Sequence, residues 1–455
     1  MSQERPSRHT TFHEVLDALR QERCPICRLG MRAVSRQLDV LSYEGVNDPG
    51  IRAELRRARG FCHGHAWQFA NEVHDGLGTA IIYRDVLGAL LPLLRPGSPA
   101  TPHRGGRAGA LERRLLPQAE CPACRTLAGA SRRYLDTLLS HLSDADVRRR
   151  YRSSHGLCRP HLAMALPHAR DRLGLDLLIG VFRERAEALS SQTPSAEMGP
   201  VLVETLVGRP LAVLRTVPSP ETARAPQPLR PVDLQPNPGP GCLVCGAVRA
   251  EVDRWLVATL ATTGGLAEDV PLMDLCGPHA WRLVERVPWS EMGPAWQRVA
   301  RTLLHRLAEP QDVQPPEQEV WRELGVFLGI RRPSSDGQTL AARIAQRVCP
   351  ACSAEATAAA GAAKSVLASI TGSEGVLEAM RGVPLCRPHL ALALSLAPDE
   401  AVQWRLIRSA LGRWQALHAE LGEYIRKQDY RFRHEPYGAE VDAPWRAIAE
   451  MAGEE

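Results

Sequence analysis

The sequence predicts an all-α protein: two tandem helical domains, each holding two helical-hairpin modules stapled by zinc. Three observations carry that expectation. A set of three cysteines and one histidine recurs four times along the 455 residues, and the sets use all 12 cysteines. Apolar residues recur at helical spacing between the sets. Aromatic residues make up only 5% of the chain, so the core rests on Leu, Ala and Val, a composition that favours helix over sheet.

In chain order, Cys24 and Cys27 are answered by Cys62 and His65, and Cys121 and Cys124 by Cys158 and His161. Cys242 and Cys245 are answered by Cys276 and His279, and Cys349 and Cys352 by Cys386 and His389. Three thiolates and an imidazole close a tetrahedral zinc shell and leave no open position. The expected cofactor is therefore four Zn2+ per chain, structural in kind. Each module holds an odd number of thiols, which suits metal ligation better than disulfide pairing. Buried unligated thiols and an iron–sulfur cluster with one histidine ligand are the competing readings.

Each Cys-x-x-Cys pair reads as the first turn of a helix, with proline pre-setting the backbone in three modules. Each Cys-x-x-His pair also opens a helix, where the partial positive charge of the N-terminus favours thiolate. Between the pairs lie 34, 33, 30 and 33 residues. Two helices of ~12–14 residues rise ~20 Å each, so an out-and-back hairpin closes on one ion. Spacing thus favours local pairing within each module. Exchange of halves between two modules of one domain is the alternative. At the position of His63 the other modules carry Arg159, Gly277 and Arg387, so His65 is the ligand and His63 a surface residue.

Elsewhere Met31, Val34, Leu38 and Leu41 form one helical stripe, and Leu135, Leu138, Leu139 and Leu142 another. Ser143 reads as the N-cap of a helix over 144–151. The segment 404–421 reads as a long amphipathic helix.

The modules alternate in kind. The first and third continue as His-Ala-Trp (His65-Ala66-Trp67, His279-Ala280-Trp281). The second and fourth share Cys-Pro-Ala-Cys and Leu-Cys-Arg-Pro-His-Leu-Ala. This is a duplicated two-module unit, with domains at 1–192 and 241–455. Between them, 193–240 is a proline-rich linker. Inside it, residues 201–207 and 211–217 alternate branched and polar residues, as in a small β-hairpin.

Composition bears on partners and compartment. The formal charge is +5. Each filled site exchanges three thiol protons for a dication, a change of −1, so four filled sites bring +5 to +1. That leaves no global field to draw the chain to nucleic acid or to an anionic membrane. Two basic runs, Arg148–Arg152 and Arg426–His434, mix cations with aromatics and are the candidate nucleic-acid surfaces. A solvated helix face or end is the favoured reading of both. The polar N-terminus carries no secretory apolar stretch, and the apolar run 81–94 is interrupted and short for a bilayer. The expectation is a cytoplasmic protein off the membrane, with a protein partner not specified by the sequence.

No haem-attachment, P-loop or His-Glu-x-x-His motif is present, and no His-x-Glu accompanies the cysteine pairs as in zinc deaminases. The expected role is non-catalytic: a zinc-stabilised scaffold or interaction module. A thiol-based redox or zinc-release sensor is the first alternative, and a nucleic-acid-binding zinc protein the second.

The paired Cys-Pro-x-Cys and Gly-x-Cys-x-x-His modules resemble an uncharacterised family of bacterial and archaeal proteins about half this length. The segment Tyr424–Glu435, followed by Trp445-Arg-Ala-Ile-Ala, is similar to that family's tail. The resemblance implies a tandem version with the tail kept once, and brings no reaction with it. The third module departs from the pattern, with Leu243 in place of proline and Asp274-Leu275 before Cys276.

Overall fold

The computed structural model describes residues 10–73, 75–101, 109–192, 198–209, 241–262, 271–308, 335–371, 383–432 and 434–454. Among these the regular structure is helical, with short 3-10 and π turns and no strand. The first half forms α1 (Thr10–Ala18), α2 (Pro25–Val40), α3 (Pro49–Ala58), α4 (His63–Gln68), α5 (Gly76–Leu94) and α6 (Gly109–Leu115). It continues with α7 (Pro122–His141), α8 (Ala145–Ser153), α9 (Arg159–Ala165), α10 (Arg172–Ser191) and α11 (Met198–Val207). The second half forms α12 (Leu243–Thr262), α13 (Gly277–Arg286), α14 (Trp289–Ala308), α15 (Ser335–Ile344) and α16 (Pro350–Thr371). It ends with α17 (Arg387–Leu396), α18 (Glu400–Lys427) and α19 (Ala443–Ala452).

Chain order and motif position make α12 to α19 the counterparts of α2, α4, α5, α6, α7, α9, α10 and α11. Asp171 and Asp399 show the match locally: each caps its helix by accepting from the third residue on, Gly174 at 2.6 Å and Val402 at 2.8 Å. The sequence tail thus has a counterpart in both halves. Its long insertion, 428–442, occurs once, but the final helix occurs twice, as α11 and α19.

Two local expectations are corrected. The first arm of the expected β-hairpin is helix α11, whose face packs on α9, α10, α13 and α14. Burial of Leu202, Val203, Leu206 and Val207 overrides their strand propensity. The second arm, 211–217, lies outside the described residues. The cap of α8 is Asp144, not Ser143: its carboxylate accepts from the Asp146 N–H at 2.8 Å.

Contacts gather the chain into two compact units. Unit 1 comprises Met1–Ala33, Leu127–Pro210 and Asp253–Ser353. Unit 2 comprises Val34–Thr126, Leu211–Val252 and Ala354–Glu455. The division 1–192 and 241–455 follows the duplication; the compact units cut across it, each taking segments from both halves. Four of the five boundaries fall inside α2, α7, α12 and α16. Of the stretch 193–240, residues 198–209 are described and belong to unit 1; the rest lies outside the described residues.

In unit 1, α10 packs along α14, and Leu178, Val181, Phe182, Trp296 and Val299 are buried. In unit 2 the counterpart pair is α18 along α5, with Tyr83, Leu87, Leu90, Leu406, Trp414 and Leu421 buried. Each of the aliphatic and phenylalanine side chains among them contributes ~1.5–3 kcal/mol of burial. By length and composition α5 could cross a bilayer, but more than half of it is buried against the rest of unit 2.

Candidate metal centres

The donors sit where helices begin. The first cysteine of each Cys-x-x-Cys pair accepts the opening helical bond, from Arg28, Arg125, Gly246 and Ser353 at 3.1–3.4 Å. Leu243 opens α12 as proline opens its three counterparts; its N–H, which has no partner inside the helix, donates to the Pro384 carbonyl at 3.1 Å. Cys62, Cys158, Cys276 and Cys386 are extended N-caps, and none spends its sulfur on capping its own helix. A histidine three residues on then shares their face.

All sixteen predicted donors fall into four quartets, with the donor atoms of each within 4.8 Å of one another. The quartets are not those of the local hairpins. Cys24 and Cys27 meet Cys158 and His161, while Cys121 and Cys124 meet Cys62 and His65. Likewise Cys242 and Cys245 meet Cys386 and His389, and Cys349 and Cys352 meet Cys276 and His279. Each half therefore holds an outer quartet and an inner one nested inside it. Local pairing fails because the arms are unequal. α7 has 20 residues and α8 has 9, so ~30 Å outward is met by only ~14 Å of returning helix. In the first module Arg59 and Gly60, both with positive φ, turn the chain immediately after α3 instead of carrying it back.

Unit 1 holds the outer quartet of the first half and the inner quartet of the second. Unit 2 holds the converse.

The geometry suits a tetrahedral ion. In the first outer quartet the His161 Nδ1 lies 3.6, 3.3 and 3.1 Å from the sulfurs of Cys24, Cys27 and Cys158. The His65 Nδ1 lies 3.1, 3.7 and 3.3 Å from Cys62, Cys121 and Cys124. His389 Nδ1 lies 3.3, 3.3 and 3.2 Å from Cys242, Cys245 and Cys386. His279 Nδ1 lies 3.1, 3.6 and 3.4 Å from Cys276, Cys349 and Cys352. The sulfur of each second Cys-x-x-Cys cysteine is 3.6–3.7 Å from that of the capping cysteine. Zn–S bonds of ~2.3 Å and Zn–N bonds of ~2.0 Å at tetrahedral angles give S···S edges of ~3.8 Å and S···N edges of ~3.5 Å. The residues present fit such an ion, and every quartet would bind it through Nδ1.

Without an ion, the donors share protons. Burial opposes ionisation of Cys24, but hydrogen bonds from Cys158 and Cys27 and the His161 ring hold its thiol well below the ordinary range. Cys124 and Cys62 do the same for Cys121, Cys245 and Cys386 for Cys242, and Cys276 brings Cys349 down to about 3. The donating neighbours Cys124 and Cys386 are pushed up in return, chiefly by hydrogen bonds to the ionised sulfur. Burial favours a neutral His65, yet Cys121 and Cys62 raise it to about 9. His389 is likewise raised against burial, by Cys242 and Cys245, to about 10.

Supporting residues with no assigned role in the sequence reading surround these centres. Arg159 and Arg387, from the shared Cys-Arg-Pro-His, are both buried. Arg159 donates to the carbonyls of Ile344 at 2.8 Å and Met273 at 2.6 Å. Arg387 donates to Met451 at 2.9 Å and Leu115 at 2.6 Å. Ile344 and Leu115 end α15 and α6, where helical carbonyls lack partners and a cation is favoured. Burial brings both guanidinium groups down to about 10.

The His-Ala-Trp tryptophans are matched as well. Trp281 donates to the Gly208 carbonyl at 2.9 Å, and Trp67 to that of Gly453 at 3.0 Å. These glycines follow α11 and α19 with φ of 81° and 95°, a conformation that favours glycine. A Cβ built on Gly208 would lie 3.7 Å from the Cys158 sulfur, and one on Gly453 3.9 Å from that of Cys245. Each such turn thus covers an outer quartet while being held by the helix of an inner one. The recurrence of His-Ala-Trp was the available signal; its acceptors are about 390 and 70 residues away in sequence. His63 is exposed, its Nδ1 lying 3.2 Å from the Ala452 carbonyl.

Several residues of the basic runs are engaged within the chain. Tyr151 is buried, Arg150 pairs with Asp146 at 2.7 Å, and Arg148 donates to Ser143. Arg426 pairs with Glu423 and Glu435 and stacks on Phe432 at 4.5 Å. Lys427 meets Glu440 at 2.5 Å, and Arg431 meets Asp429 at 2.6 Å.

Fold and donors together define an all-helical protein with four Cys3His clusters able to hold metal ions. Residues 11–190, the first two modules, match the model of a family of unknown function (DUF6062). The chain is also similar to an uncharacterised 23.9 kDa protein encoded in the xynA 3' region of Caldicellulosiruptor sp. (strain Rt8B.4). The two are 37% identical over 73 residues, which is 16% of this chain and 35% of that relative. No solved structure matches the chain.

Proposed function

We propose that the chain binds four Zn2+ ions and serves as a non-enzymatic, zinc-stabilised helical scaffold for a protein partner. The observation that carries the metal reading is the closed three-sulfur, one-nitrogen geometry repeated in every quartet. A fourfold shell supplied wholly by protein leaves no position for a substrate or an activated water, which supports structural over catalytic zinc. Each ion would fasten two helix starts far apart in sequence, and such binding free energy is folding free energy. Elemental analysis of the purified full-length chain tests this. The expected result is about four zinc per chain, with loss of helical signal on chelation. A preparation rich in iron, or one whose melt is unchanged by chelation, contradicts it.

A second reading is favoured by one observation: Cys62 and Cys352, both in inner quartets, are exposed. Peroxide could oxidise two zinc-bound thiolates there to a disulfide and release the ion. Zinc release by stoichiometric peroxide, reversed by thiol reductant, would favour a sensor; retention of all four ions would favour the scaffold.

A further inference from the structure

We infer that the two halves of this chain, 10–209 and 241–454, are binding partners for each other, each an incomplete fold that the other completes. The principal helix pairings join half to half. In unit 1, α10 of the first half lies along α14 of the second; in unit 2, α18 of the second half lies along α5 of the first. Smaller contacts also cross, α9 with α15, α11 with α13 and α14, α17 with α6, and α19 with α4 and α5, while others, such as α3 with α5 and α18 with α19, stay within a half. Buried polar contacts cross in the same sense. Arg159 reaches second-half carbonyls at Ile344 and Met273, and Arg387 reaches the first-half carbonyl of Leu115. The tryptophan of each half holds the terminal glycine turn of the other, Trp281 to Gly208 and Trp67 to Gly453.

Taken alone, the first half would expose the faces of α5 and α10 that lie along α18 and α14. Its two quartets would also lie in different units. The duplication therefore fuses two copies of an interlaced pair. The fitting partner for either half is a second two-module segment, and the covalent link only raises their effective concentration.

Two measurements on the full-length chain test this. In hydrogen–deuterium exchange, Gly199→Ala, whose added methyl meets the Trp289 ring at the start of α14, should lower protection in second-half α14 and spare α18. Leu87→Ala should lower it in α18 and spare α14. Losses confined to the first half, or equal in α14 and α18, overturn the inference. In the second measurement, a protease site placed within 210–240 is cut after folding. The fragments should co-elute as one species until denaturant is added. Fragments that separate in buffer, each still helical, overturn the inference.

Discussion

A sulfur pulled to low pKa gives up its proton, and the imidazole raised beside it keeps one until a metal displaces it. Because His65 and His389 are raised to about 9 and about 10 in the metal-free fold, a metal entering near neutral pH must expel those protons. Zinc affinity should therefore climb from pH 6.5 to pH 9, as read by competition with a chelating indicator; a flat profile would contradict the picture. The sign for the metal-free fold is opposite. Both histidines are raised above their unfolded value of ~6.5, so their contribution is complete below that pH and is lost as pH climbs through 9 and 10. Exposure ranks the thiols. In zinc-loaded protein, iodoacetamide should label Cys62 and Cys352 before the buried Cys24 and Cys158, as mapped by peptide mass. Early labelling of the buried pair would refute that order. The sixteen residues gathered in the quartets were legible in the sequence because Cys-x-x-Cys and Cys-x-x-His spell them out locally. The roles of Arg159 and Arg387 were not, because their partners are carbonyls of remote segments that any residue could supply.

Helices decide which donors meet. The Cys-x-x-Cys helices α2 and α7 carry the chain away from their own starts, and the short helices α3 and α8 that follow do not bring it back. Spacing alone could not reveal this, since 30 to 34 intervening residues fit both a symmetric hairpin and an unequal one. Segment 201–207 misled for a similar reason: its branched residues suit a strand in isolation, and only the faces of α9, α10, α13 and α14 make it a helix. Two predictions belong at this scale. Replacing Arg387 with Met orphans two helical carbonyls at ~1–3 kcal/mol each, so the denaturant midpoint should fall clearly; an unchanged midpoint would remove Arg387 from the account. Trp281→Phe and Trp67→Phe forfeit one hydrogen bond apiece, ~0.5–1.5 kcal/mol. They should also speed zinc loss from the outer quartets that Gly208 and Gly453 cover, measured by release to an indicator.

For the whole molecule, the duplication is plain in sequence while the interlacing is not. The shared motifs announce two copies, but nothing in a linear repeat records that α5 finds α18 or that α10 finds α14. The same exchange operates twice: modules trade ligand pairs within a half, and halves trade helices within a unit. Ions in all four clusters would tie both halves into both units, so metal removal should unfold the chain as a whole and not one module at a time. The most direct test of the exchanged quartets is a crystal structure of the zinc-loaded chain with anomalous data at the zinc edge. Four peaks are expected, one bonded to Cys24, Cys27, Cys158 and His161 and the others to the corresponding crossed sets. A peak shared by Cys24, Cys27, Cys62 and His65 would contradict it.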